Sequence, residues 1–97
     1  MPSYVTLMNW TDQGIKSFKN TVERYEAAET AFAQAGIKTK EIYWTVGAYD
    51  LVSIVEAPDD ETLAAAHLTL GAQGNIRTTT LRAFTGEEMK GIIAKTP

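Results

Sequence analysis

Between Ile42 and Glu56 two β-type runs meet at the dipeptide Gly47-Ala48, with Thr45-Val46 leading in and Tyr49-Asp50-Leu51-Val52-Ser53-Ile54-Val55 leading out. A glycine at the first central position is what a type II′ hairpin requires, because that residue takes positive φ and the turn's twist matches the flanking strands. The spacing predicts a two-residue turn, with Val46 opposite Tyr49 and Trp44 opposite Leu51. Strand alternation then places Ile42, Trp44, Val46, Tyr49, Leu51, Ser53 and Val55 on one face, and Tyr43, Thr45, Asp50, Val52, Ile54 and Glu56 on the other.

Around this hairpin the remaining elements fall into order. Tyr4 to Asn9 is a short β-type run, and Thr11 or Asp12 can cap a helix in which Ile15, Phe18, Val22, Tyr25, Ala28 and Phe32 recur at steps of three and four. This predicts one long amphipathic helix, ended by Gly36. Ile37 to Val46 reads as the second strand and Tyr49 to Ala57 as the third, stopped by Pro58. Asp59 caps a second helix over residues 61–70, with Gly71 or Gly74 at its end. Ile76 to Phe84, with Thr78-Thr79-Thr80 at its centre, is the last strand, and Thr85-Gly86-Glu87-Glu88 reads as a capping box before a short terminal helix carrying Met89, Ile92 and Ile93. The order βαββαβ is the ferredoxin-like α+β plan, in which the first and third strands are central. Val5-Leu7-Met8 and Leu51-Val52-Ile54-Val55 are apolar on both sides, as central strands should be.

A chain of 97 residues, 44% hydrophobic and 22% charged, is expected to form one domain over 1–97. Two helices cover only one side of a four-stranded sheet, so the apolar second side predicts a homodimer or higher homo-oligomer formed sheet to sheet. Which face meets the helices is left open by the pattern. Nine Lys plus Arg against twelve Asp plus Glu, a net charge of −3, disfavours nucleic acid, and no apolar run approaches membrane-helix length. The absence of cysteine removes thiol catalysis and thiolate metal sites, no cofactor is expected, and a cytoplasmic location is the default.

The stretches Tyr4-Val5-Thr6-Leu7, Trp10-Thr11-Asp12-Gln13-Gly14-Ile15, Gly47-Ala48-Tyr49-Asp50-Leu51, Glu56-Ala57-Pro58-Asp59-Asp60 and Arg77 to Thr85 together resemble the GYD-domain family, small stand-alone proteins of the dimeric α/β-barrel type. An alanine is inserted in the naming triplet here, giving Gly-Ala-Tyr-Asp. The resemblance implies a fold and an oligomeric habit rather than an activity. The same hairpin is similar to the effector-binding domain of leucine-responsive and asparagine-type regulators, which implies ligand sensing without their DNA-binding part.

Several residues offer chemistry to a site. His67, the only histidine, lies on one helical stripe with Leu63, Ala66 and Leu70 and so points toward the sheet. A half-buried imidazole there serves either as a general base or as a core group hydrogen-bonded to a neighbour. Tyr49 and Asp50 could present a donor and an acceptor to a polar ligand, or they could tie off the hairpin. Trp10 and Trp44 could line a cavity or anchor the core, and Arg82 could hold a ligand carboxylate or pair with Glu87 or Glu88. Asp59-Asp60-Glu61 is explained by the helix dipole without a metal. Two functional classes result. One is a small-molecule-binding or sensing module with its pocket between helices and sheet or at a subunit interface. The other is a cofactor-independent enzyme, monooxygenase- or isomerase-like, working through His67.

Overall fold

Residues 1–97 are described by a computed structural model. The chain runs β1 (Ser3–Trp10), α1 (Asp12–Lys16), a 3-10 turn (Phe18–Asn20), α2 (Thr21–Gln34), β2 (Lys38–Trp44), β3 (Leu51–Glu56), α3 (Asp60–Ala72), β4 (Ile76–Ala83) and α4 (Gly86–Ala94). The strands form one antiparallel sheet in the order β2-β3-β1-β4, so the two strands that are apolar on both sides are the central ones. This is the ferredoxin-like arrangement that the element order predicts.

The helices settle on the face that carries Leu51, Ser53 and Val55. These residues are buried in register with Met8, Thr6 and Tyr4 of β1. Against them pack Tyr25, Ala28 and Phe32 of α2 and Leu63 and Leu70 of α3. Full burial of each such aliphatic or aromatic side chain contributes about 1.5–3 kcal/mol, and this layer is the core. The opposite face holds Val5, Leu7, Val52 and Ile54 in adjacent registers, none of them fully buried, with Tyr43 and Leu81 half exposed beside them. No element of the chain covers that face.

Two local departures have clear causes. The long helix expected from Ile15 onward is broken at Ser17, where the backbone leaves the helical region (φ −110°, ψ 37°). Arg24 donates to the freed carbonyls of Ser17 (2.7 Å) and Gly14 (3.1 Å), so the break is satisfied by a side chain rather than left open. As a result Ile15, Phe18 and Val22 are about half exposed, and only Tyr25, Ala28 and Phe32 of the expected stripe reach the core.

The hairpin is also wider than a two-residue turn. Trp44 faces Leu51 as predicted, but the last main-chain bond is Thr45 N–H to the Asp50 carbonyl (2.9 Å), leaving 46–49 as the loop. Gly47 has φ +145°, far from the first central position of a type II′ turn, and the Thr45 hydroxyl donates to the Tyr49 carbonyl instead. On β2 the register shifts between Thr39 and Glu41, which makes Lys40 the extra residue of a bulge. Gly36 (φ +84°) follows α2 in the left-handed conformation, and Ile37 N–H returns to the Phe32 carbonyl (3.0 Å).

Candidate functional site

The inward side of β4 is only partly roofed by α3, because alternate residues Thr78, Thr80 and Arg82 point toward the helices at the edge of the sheet. Along α3, Asp60, Ala64, His67 and Gly71 recur at steps of four, three and four and form one face of the helix. Between these two rows lie two adjoining cavities of about 270 and 470 Å³, which share Ala64, His67 and Thr80. The smaller is bounded by Tyr4, Asp60, Leu63 and Arg82, and the larger runs past Leu68, Ile76, Arg77 and Thr78.

His67 stands where the two cavities meet. Its Nδ1 lies 3.0 Å from the Thr80 hydroxyl, and its ring meets Phe32 edge to face at 6.5 Å between centroids. Burial lowers its pKa below the ordinary 6.5, so the imidazole is neutral at neutral pH. Tyr4 donates its hydroxyl to Asp60 Oδ1. That hydrogen bond, with burial second, pushes the Tyr4 pKa up to about 12, so the phenol stays protonated and Asp60 receives the bond. The Arg82 guanidinium lies over the Tyr4 ring (5.5 Å) and the Phe84 ring (4.5 Å), and its Nη1 donates to the Ser3 (3.1 Å) and Ala83 carbonyls. Stacking and these bonds hold the planar group at the cleft mouth. Chemically the cleft offers a fixed cation, a carboxylate, a neutral imidazole able to accept a proton and a hydroxyl that can donate or accept.

His67 and Arg82 are therefore brought together. Trp10, Trp44, Tyr49 and Asp50 gather elsewhere, around the hairpin; Trp10 lies four residues, roughly 13 Å, along β1 from the level of Thr6 and Thr80. There Asp50 accepts the Trp10 backbone N–H (2.9 Å) while its own N–H reaches the Met8 carbonyl (2.9 Å), which fastens the hairpin to β1. Trp44 meets Tyr25 edge to face (6.1 Å) and donates Nε1–H to the Thr21 hydroxyl (3.0 Å). Trp10 packs against the cluster of Met8, Tyr25, Leu51 and Ile76. Tyr49 is half-buried in the loop. Asp50→Ala strands the Trp10 N–H and is expected to cost about 1–3 kcal/mol, read as a lower urea midpoint.

Tyr4, Asp60 and Thr80 belong to the cleft but were not singled out from the sequence. The signal was present for two of them. Asp60 is seven residues before His67, two helical turns on the same face, and Thr80 alternates with Arg82 along one strand. Tyr4 joins them only through the β1–β4 register, in which it faces Arg82.

The depressed His67 pKa has a consequence for stability. The unfolded chain takes up a proton on this histidine below about pH 6.5, whereas the folded chain resists it, so stability falls as pH drops through the region just below 6.5 and is unaffected above it. Melting temperatures between pH 7.5 and 5.5 are expected to show this slope in the native chain and to lose much of it in His67→Gln.

The family model for the GYD domain matches residues 4–93. A Thermus thermophilus protein, the glutamine synthetase and cystathionine beta-lyase binding protein, is 34% identical over 85 residues, covering 87% of this chain and 90% of that one. The crystal structure of TTHA0845, also from Thermus thermophilus, superposes with a TM-score of 0.55 at 28% identity, over 89% of this chain and 96% of that chain. No helix here is long and apolar enough to cross a membrane. With nearly the whole chain matched and the predicted strand order in place, this protein belongs to the GYD-domain family.

Proposed function

We propose that this chain is a binding module that pairs with a second copy through its open sheet face and takes a small polar ligand in the α3–β4 cleft. The observation that carries this reading is the cleft itself. Arg82, the Tyr4–Asp60 pair, His67 and Thr80 converge on one recess, and its neighbouring cavity continues along α3. A concave site with a few convergent polar groups is the usual form of a small-molecule pocket.

Native mass spectrometry of protein purified from its host tests the reading directly. The expected spectrum is a dimer carrying a non-covalent small molecule, with the added mass lost in Thr80→Val and Arg82→Ala while the dimer persists. A ligand-free chain that gains no thermal stability from carboxylates, amines or polyols sinks it.

A second reading, an enzyme-binding adaptor, is favoured by the name of the Thermus relative and by Ile15, Phe18 and Val22, about half exposed, with Trp44 exposed beside Thr21. Apolar groups collected at one end of a small protein are a common mark of a protein interface. Titrating the host's glutamine synthetase and cystathionine beta-lyase with native chain and with Phe18→Ser/Val22→Ser separates this role from the first. Binding that the double variant abolishes supports the adaptor, and no binding to either enzyme removes it.

A further inference from the structure

The terminal helix α4 is complete in itself yet packs only lightly on its own subunit. Thr85 accepts the Glu88 backbone N–H (3.1 Å), and the Glu88 carboxylate accepts the Thr85 N–H (2.9 Å), a full capping box. None of the nine residues from Gly86 to Ala94 is fully buried, only Ile92 on its apolar side is partly covered, and no strand or helix of the subunit packs extensively against them. Met89, Ile92 and Ile93 nevertheless form one apolar side at i, i+3 and i+4, with Met89 and Ile93 46% and 56% exposed. Helices shorter than about twelve residues are marginal in water without tertiary packing, and Gly91 weakens this one further. The chain is correspondingly drawn out, 50 × 31 × 19 Å with a radius of gyration of 14.6 Å, against about 12.5 Å for a compact domain of this length.

The uncovered sheet face is the matching surface. Thr85 leaves β4 extended (φ −70°, ψ 167°) and the capping box starts the helix at once, so α4 begins only two residues beyond the end of β4. Nine residues of helix span about 13.5 Å, close to the roughly 14 Å across four strands. The sheet face projects roughly 400 Å² by strand spacing and length, a modest area beside the ~800 Å² of accessible surface per partner that a stable interface commonly buries. Val5, Leu7, Val52, Ile54 and Leu81 supply apolar area on that face but no element to wrap a neighbour.

We infer that α4 is an exchanged arm: the helix of each copy packs its Met89, Ile92 and Ile93 side onto the margin of the open sheet of a second copy, reciprocally. This rests on the proposed pairing through the sheet and adds the element that makes it stable. A two-fold exchange covers both unpartnered apolar surfaces with one contact type and closes the assembly at two subunits. It follows that α4 contributes to the association constant while the subunit body folds without it.

The experiment uses the full chain. Met89→Lys/Ile93→Lys is expected to weaken the dimer at least about tenfold in sedimentation, with the sheet's far-ultraviolet signal and thermal transition retained at equal monomer content. Because the chain has no cysteine, chains carrying Met89→Cys can be mixed with chains of different mass carrying Tyr43→Cys, on the open face at the β2 margin, and an intermolecular disulfide between the two kinds is expected. A dimer whose dissociation constant is unchanged by the lysine substitutions, with no mixed disulfide, overturns the exchanged arm while leaving sheet pairing intact. A native chain that stays monomeric at all accessible concentrations overturns both.

Discussion

Gly14→Ala is expected to destabilise the protein by about 3 kcal/mol, equivalent to a loss of roughly 12–20 °C in melting temperature for a domain of this size. Gly14 is buried in α1, and a Cβ built there would lie 2.0 Å from the Asn75 carbonyl oxygen and 2.9 Å from its carbon. Both are backbone atoms, fixed by the Thr11 N–H bond to the same carbonyl (3.0 Å), and the Thr11 hydroxyl further ties α1 to the Gly74 carbonyl. Nothing at this contact can swing aside, so α1 must lift or the 73–76 segment must move, and either breaks the lock between the end of β1 and the start of β4. Gly71→Ala is the control. A Cβ there meets nothing within 4 Å, and the change is expected to be neutral or slightly stabilising. Urea unfolding of the two variants side by side measures the difference; equal midpoints would show that the 74–75 loop yields freely.

Leu51→Ala is expected to cost about 3–4 kcal/mol. Leu51 is wholly buried where three strands meet, opposite Met8 on β1 and Trp44 on β2, and it packs in one cluster with Met8, Tyr25 and Ile76. Removing its branch leaves a void that main chain on two sides cannot close, so both the transfer and the cavity costs apply. The measured signature is a lower denaturant midpoint at unchanged slope. A loss below about 1 kcal/mol would mean that Trp44 or Tyr25 collapses into the gap.

The sheet was legible because alternation and chain order report the same thing. Val5-Leu7-Met8 and Leu51-Val52-Ile54-Val55 are apolar on both sides only if the strands are central, and the topology puts them there. The caps of α3 and α4 were equally legible, since Asp59 accepting from Thr62 and Thr85 with Glu88 are local bonds between residues three apart. What escaped the sequence depends on distant partners. The break at Ser17 goes with the close seat of Gly14 on Asn75 and is satisfied by Arg24 reaching back, neither of which a helical period reveals. The opened hairpin loop reflects Asp50 being drawn to the β1 backbone. Of the candidate site, His67 and Arg82 were visible as lone chemistry, but Tyr4 enters through strand pairing alone, and a pairing is not written in any one segment.

The two margins of the sheet differ in kind. On β2 the bulge at Lys40, with Lys38 and the Lys40–Glu56 ion pair (3.6 Å) beside it, interrupts the even spacing of amide groups that an incoming strand would need. On β4 the eight residues from Ile76 to Ala83 are regular and threonine-rich, and their outer backbone groups have no ladder partner. Growth by strand addition, wanted or pathological, is therefore polarised. Fibrils seeded from this fold should propagate from the threonine margin, and a proline inserted at an outward amide there should arrest them without disturbing the lysine side.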